Sequence, residues 1–244
     1  MSDTMTSGKC RLCGERFAKA RMSTHLKQCA KRATATLQTG KPAPCFHVFV
    51  EAKFEPWYWL HLEVPAKATF GDLDRVLRDI WLECCGHMSA FTFPRKRLPR
   101  PTLGNLDQFF AAQMQRPLEA GLDDEDDLMD ETVGTRLAPA VKFGYEYDFG
   151  TTTELSLRVV DERPSAFAKS GIHLLARNEP PEIRCVNCKK PATQICTECD
   201  YEGAGALCDR CAKKHECGEE MLLPVLNTPR AGVCGYTGPS KEPK

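Results

Sequence analysis

The sequence has no run of about 18 apolar residues, the length that a helix needs to cross a membrane. Its first nine residues are polar and lack the apolar core of a secretory signal peptide. We therefore expect a cytoplasmic protein with no membrane partner. In that reducing compartment the 14 cysteines are not expected to form a disulfide framework, so metal binding is the first interpretation.

The sequence also lacks an excess of either charge, since 33 Lys and Arg balance 33 Asp and Glu. The charges are segregated, however. Residues 1–41 carry nine basic against two acidic side chains, residues 42–178 fifteen against twenty-one, and residues 179–244 nine against ten. A basic head on an acidic body favours an anionic partner for the head, and nucleic acid is the commonest large one. The alternative is a solvated basic face on a small domain.

Composition divides the chain into four parts. Residues 33–44 are small and polar and end in prolines, as is typical of a linker, and a second boundary lies near Pro180 and Pro181. We therefore predict a zinc finger at 1–32, a linker at 33–44, a central domain at 45–178 and a cysteine-rich module at 179–244.

The first part has the ligand types and spacing of a C2HC zinc finger, Cys10-x2-Cys13-x11-His25-x3-Cys29. A Cys-x2-Cys knuckle brings two thiolates to one metal, and His25 and Cys29 are spaced to share a helix face. Four protein ligands leave no open position for water, so this zinc would be structural. A segment this short needs the metal to fold.

The finger is basic along its predicted helix. One finger contacts only about three base pairs, so we expect contacts with the backbone of RNA or DNA and no defined sequence. A protein partner is the rival interpretation. The residues that we predict to contact nucleic acid are Lys19, Arg21, Lys27, Lys31 and Arg32.

The last part contains three Cys-x2-Cys pairs followed by a His/Cys pair, which supply eight ligands for two tetrahedral zinc ions. We prefer a cross-braced arrangement, in which the first and third Cys pairs share one ion and the second pair joins His215 and Cys217 on the other. Cys234 remains a possible replacement for one of those two. The predicted ligands are Cys185, Cys188, Cys196, Cys199, Cys208, Cys211, His215, Cys217 and Cys234.

This interleaved spacing resembles B-box and related treble-clef-like modules, which implies a protein-interaction or self-association platform. Redox activity of the Cys-x2-Cys pairs is the competing interpretation. Three such pairs occur together and none follows the first strand of a βαβ unit, so we favour metal binding. Together with the finger, the module brings the expected total to three structural zinc ions.

The central domain alternates in the manner of strands at 46–54, 58–64, 141–149 and 153–159, and the last two runs predict a β-hairpin. Thr69 followed by Asp72 predicts a helix start. We expect an α+β domain with a largely antiparallel sheet and a packed helix. We interpret the cysteines at positions 45, 84 and 85 as small buried hydrophobic residues.

Two stretches of this domain, Leu60–Pro65 leading to His87-Met-Ser-Ala-Phe91, and Tyr145-Glu-Tyr-Asp-Phe-Gly150, carry a family resemblance. They resemble the plasmid pRiA4b ORF-3-like family, also labelled as transposable-element passenger proteins, which implies a link to mobile genetic elements. Many members continue Tyr-Asp-Phe-Gly with Asp, Trp and His at alternate positions. Here those positions hold Thr151, Thr153 and Leu155, so chemistry that needed that Asp or His is absent or carried elsewhere.

Three functions follow from these patterns. We favour a non-catalytic adaptor or regulator that contacts nucleic acid through its finger. The second is a protein-interaction scaffold that acts through the cysteine-rich module. The third is a small-substrate enzyme with His87, Glu146 or Asp148 in a pocket. No substrate class is identified and we find no cofactor loop or nucleophile motif, so we do not favour catalysis.

Overall fold

An eight-stranded antiparallel sheet forms the centre of the structure, a computed structural model that describes residues 6–29, 42–94, 128–165 and 171–239. The strands are β1 (Ser7–Cys10), β2 (Arg16–Ala18), β3 (Ala43–Ala52), β4 (Trp59–Pro65), β5 (Ser89–Thr92), β6 (Lys142–Tyr147), β7 (Thr153–Ser165) and β8 (His173–Asn178). Their order is β2-β1-β8-β4-β3-β7-β6-β5. The sheet therefore combines strands of the finger with strands of the predicted central domain.

The predicted β-hairpin is present, and the two earlier predicted strands also pair. β3 pairs with β4, and β6 pairs with β7 so that Tyr147 lies opposite Thr153. The three-residue connection Gly150-Thr151-Thr152 lies in the turn between them. The prediction of an antiparallel sheet is thus confirmed.

Helices are few. In the described residues they are α1 (Lys19–Gln28), α2 (Phe70–Leu77), α3 (Thr197–Asp200) and α4 (Asp209–Ala212), with a π-turn at Arg78–Leu82 and 3₁₀ turns at Leu128–Asp130, Val133–Thr135 and Glu219–Met221. A capping box starts α2 as predicted, because Thr69 accepts from the Asp72 amide and Asp72 accepts from the Thr69 amide. No helix of this described part is long and apolar enough to span a membrane.

One face of the sheet carries the main core. The apolar side of α2 and the following π-turn packs against it through Phe70, Leu73, Leu77, Ile80 and Trp81, all buried. These residues recur at helical spacing, so one stripe faces the sheet. The helix and the sheet form the expected α+β unit.

The finger covers part of the opposite face. Met22 and Leu26 of α1 are fully buried and pack against Phe49, Trp59 and Leu175. β3 is consequently buried on both of its faces. The alternating pattern predicted burial only for the face of β3 that carries Phe46, Val48 and Val50. The sequence did not show that the finger would dock on the opposite face.

The cysteine-rich module contains a small three-stranded sheet of β9 (Gln194–Cys196), β10 (Ala206–Leu207) and β11 (Leu222–Pro224) in the order β10-β9-β11. After β11 the chain returns to the central body. The Thr228 hydroxyl donates to the Trp81 carbonyl oxygen at 2.6 Å, and Arg230 and Tyr236 are buried. Thr228, Arg230 and Tyr236 thus pack with the central domain, although they lie within the 179–244 segment of the predicted cysteine-rich module.

Candidate metal centres

The finger brings four ligand atoms together. Cys10, Cys13, His25 and Cys29 each offer one atom, and these atoms lie within 4.8 Å of one another. The Cys13 Sγ and His25 Nε2 atoms are 3.4 Å apart. Three thiols and one imidazole in this arrangement can hold a metal ion with tetrahedral coordination.

The local sequence explains this convergence. Gly14 has a φ of +82°, which favours glycine, and its amide donates to the Cys10 carbonyl oxygen at 2.8 Å. That turn brings Cys13 back over Cys10. On α1, the imidazole of His25 is stacked against Phe17 with 3.9 Å between ring centroids, which holds the ring towards the thiols.

The finger is fixed to the central sheet by its backbone. β1 pairs with β8, and the Arg11 amide donates to the Leu175 carbonyl oxygen at 2.9 Å. At the edge of the sheet formed by β2 and β1, Ser7 and Arg16 both donate to the Glu179 carboxylate, at 2.7 and 2.5 Å. The first candidate metal centre is therefore joined to the central sheet.

The cysteine-rich module holds two further groups, each with all its ligand atoms within 4.8 Å. The grouping is the one that the cross-braced arrangement predicted. In the first group the Cys188 and Cys208 sulfur atoms are 3.5 Å apart, and in the second the Cys199 sulfur lies 3.4 Å from His215 Nε2. The groups are Cys185, Cys188, Cys208 and Cys211, and Cys196, Cys199, His215 and Cys217.

The electrostatics of these groups suit a cation. Desolvation opposes ionisation of the Cys185 thiol, but hydrogen bonds from the Cys208, Cys188 and Asn187 backbone outweigh it and lower its pKa to about 6. In the second group, by contrast, neighbouring sulfur atoms raise the pKa of a thiol. The pKa of Cys199 is raised to about 12, chiefly by its contact with Cys217. A bound cation would offset the charge of several ionised thiols in one group.

A fourth group was missed by the sequence analysis. Cys84, Cys85, His87 and Cys234 also place their ligand atoms within 4.8 Å of one another. Cys85 is exposed and Cys84 half-buried, so they are not the small buried hydrophobic residues that we expected, although Cys45 is buried. Cys234 joins this group, while the module's last site contains His215 and Cys217. The only sequence signal was the close spacing of Cys84, Cys85 and His87.

The predicted nucleic-acid contacts differ in accessibility. Arg21 and Lys27 are exposed on α1. Lys19 instead contacts the central body, with its ammonium 2.7 Å from the Glu51 carboxylate and 2.6 Å from the Pro56 carbonyl oxygen. Lys31 and Arg32 lie outside the described residues.

Of the acid–base candidates of the central domain, His87 and Asp148 lie together. His61 is buried, with its Nδ1 atom 2.8 Å from His47 Nε2. Asp148 lies elsewhere, 3.5 Å from the imidazole of His87, and pairs with the buried guanidinium of Arg230. The Thr151 hydroxyl and then Arg230 lower the pKa of Asp148 well below its usual range.

The described part of the chain has one cavity in the cysteine-rich module and another beside α2. One of about 650 Å³ lies in the cysteine-rich module beside Cys188, Cys199 and His215. The other, of about 580 Å³, lies beside α2 and is lined by Asp74, Arg78 and others. His87, Glu146 and Asp148 line neither of them.

Comparison with known proteins gives little beyond this geometry. No family model matches the chain, and no curated protein matches it. A solved structure of a protein of unknown function, MM3350 from Methanosarcina mazei Go1, is similar at 16% identity with a TM-score of 0.35. The match covers 50% of this chain and 61% of that one. The chain therefore spans less than two thirds of the length of that protein.

Proposed function

We propose that this protein is a non-catalytic, zinc-binding adaptor or regulator of the pRiA4b ORF-3-like type, located in the cytoplasm, that contacts nucleic acid through its N-terminal finger. Zinc is the ion that suits these donor sets, since it binds thiolate and imidazole in closed tetrahedral sites. The finger would hold one ion and the cysteine-rich module two. All three would be structural, because each group already supplies four protein ligands.

The orientation of the finger is the observation that carries the nucleic-acid proposal. Its apolar side, with Met22 and Leu26, is buried against the sheet, so its polar side faces away from the body. Arg21 and Lys27 are exposed on that polar side. We assign Lys19 to docking, because its ammonium already contacts Glu51. Phosphate contacts then depend on Arg21 and Lys27.

Charge reversal at Arg21 and Lys27 tests this proposal. If both side chains contact phosphates, R21E/K27E should weaken binding to labelled single-stranded RNA. It should also reduce the slope of log K against log salt by about 1.4, since each phosphate contact contributes about 0.7 on a single strand. Fluorescence anisotropy over a salt series measures both quantities, and native mass spectrometry checks that metal content is retained.

A matched control makes the same change in charge in the cysteine-rich module. Lys213 and Lys214 are exposed in the cysteine-rich module, so K213E/K214E alters the net charge equally but leaves the finger intact. If both double variants weaken binding to the same degree, the attraction is a property of overall charge and the finger has no special role. Unchanged affinity in R21E/K27E would contradict the proposal.

The protein-interaction alternative has one observation in its favour. Tyr201, at the end of α3 in the cysteine-rich module, is 86% exposed. Large exposed aromatic side chains are enriched where proteins bind each other. If R21E/K27E binds RNA like the unaltered protein, this module becomes the better candidate for partner binding.

A further inference from the structure

We infer that Cys84, Cys85, His87 and Cys234 bind a fourth zinc ion, which fastens the segment around Cys234 to the central body. The inference goes beyond the three ions of the proposed function. The His87 Nε2 atom lies 3.1 Å from the Cys85 sulfur and 3.1 Å from the Cys234 sulfur, and these sulfurs are 3.8 Å apart. The Cys84 sulfur completes the group, 3.9 Å from that of Cys85. Such separations fit the edges of a tetrahedron around one zinc ion.

The backbone is bent at the points where the ligands must converge. Gly86 has a φ of +81° and donates its amide to the Glu83 carboxylate at 2.6 Å, so the chain turns between Cys85 and His87. Cys234 itself has a φ of +50°, which is uncommon for a residue with a side chain. A metal bond from its sulfur gives a reason for this backbone conformation to persist.

The imidazole of His87 has the outer partner that metal-bound histidines usually have. Its Nδ1 atom lies 3.5 Å from the Asp148 carboxylate, while Nε2 faces the sulfurs. A carboxylate on the far nitrogen fixes the tautomer and orients the ring towards the metal. Asp148 is in turn held by the Thr151 hydroxyl at 2.6 Å and the Gly150 amide at 3.0 Å.

The surroundings also compensate the charge. Zinc with three thiolates and one imidazole has a net charge of minus one. The buried guanidinium of Arg230 donates to the Cys84 sulfur at 3.7 Å, and the Tyr147 hydroxyl lies 3.7 Å from the same atom. Hydrogen bonds of this kind stabilise metal thiolates. Tyr147 and Asp148 of the Tyr-Asp-Phe-Gly stretch thus support the proposed ion.

The site is more open than the other three. Cys85 and Cys234 are exposed, whereas Cys10, Cys185 and Cys196 in the other groups are fully buried. The protein shell around a metal controls access from solvent. We therefore expect a chelator to remove the fourth ion before the others.

Native mass spectrometry of the full chain under reducing conditions tests the site directly. The unaltered protein should bind four zinc ions, and C85S and C234S should each bind three, because each loses one exposed ligand. Two variants at exposed positions guard against a folding defect in either one. As a comparison, C13S should lose an ion from the finger.

Kinetics of zinc release to 4-(2-pyridylazo)resorcinol identify which ion was lost. The unaltered protein and C13S should both show a fast phase of one equivalent, and C85S and C234S should lack it. Equal zinc content in the unaltered protein, C85S and C234S would overturn the inference, and so would a Cys85–Cys234 disulfide formed in place of the ion. Three ions in each of the unaltered protein, C85S and C234S would refute the fourth site. The three-zinc proposal would then still stand.

Discussion

Arg230 shows how much of the structure depends on a single residue near the end of the chain. Its side chain is fully buried, and its guanidinium donates to the Asp148 carboxylate, to the Thr151 carbonyl oxygen at 2.5 Å and to the Thr153 hydroxyl at 3.2 Å. Burying a charge is costly unless it is paired. The hairpin between β6 and β7 provides that pairing, so Arg230 links the segment after β11 to the hairpin.

Removing the charge of Asp148 should therefore destabilise the folded protein. D148N removes the carboxylate that pairs with the buried Arg230 guanidinium, and breaking such a pair from one side costs about 3–5 kcal/mol. We expect the melting temperature to fall by about 10 °C, measured by circular dichroism with excess zinc. E154Q is the control, because the Glu154–Lys53 pair is more exposed and should contribute under about 1 kcal/mol.

The same pair gives a pH dependence with a definite sign. The pKa of Asp148 is lower in the folded protein than in the unfolded chain, where it is about 3.9. Its contribution is therefore fully present above about pH 4 and is lost as the pH falls through its folded value. D148N should lack this component of acid destabilisation, so a parallel loss of stability below pH 4 in both proteins would contradict the assignment.

At the scale of elements, the contact between β1 and β8 decides how the finger is held. Gly8 is buried there, and a Cβ atom at this position would lie 2.3 Å from the Arg177 carbonyl oxygen and 2.3 Å from the Trp59 ring. A side chain cannot fit without moving the strands apart. Glycine at this position therefore permits the finger to join the sheet.

G8A should loosen the docking while leaving the finger's metal ligands in place. Overpacking typically costs 1–3 kcal/mol, so hydrogen exchange of the β8 amides should rise by about 5- to 150-fold with metal content unchanged. G150A is the matched control, because its φ is ordinary and the nearest atom to a new Cβ is 3.4 Å away. Unaltered exchange in G8A would mean that the finger is not held by this contact.

At the scale of the whole molecule, the two ions proposed for the cysteine-rich module are expected to depend on each other. Their ligand groups interleave along the chain, and the module's own sheet has strands of only two or three residues. So small a unit has little core of its own and needs metal to fold. The finger, in contrast, rests on a large sheet.

This difference predicts unequal losses from equivalent substitutions. C199S should lose both ions of the module, because unfolding around one site separates the ligands of the other. C13S should lose only the finger's ion. Native mass spectrometry counts the ions, and a C199S protein that keeps one ion in the module would show that the two sites fold independently.

Local patterns predicted much of the architecture. Alternation located strands β3 and β4 and the β6–β7 hairpin, and Thr69 with Asp72 marked the start of α2. The spacing of the cysteines also gave the groups in the finger and in the module. Each of these features depends on residues near one another in the chain, where the period of the backbone fixes which side chains share a face.

Two features required the tertiary structure. The finger's docking depends on Gly8 and Trp59, which are far apart in sequence. That docking in turn buries the second face of β3. The fourth group joins Cys234 to Cys85 across 149 positions. No spacing rule spans such a distance, because only the return of the chain, anchored by Arg230, brings these ligands together. The sequence alone thus determined the local metal-binding patterns and the antiparallel hairpins, while long-range packing decided which modules and which distant cysteines meet.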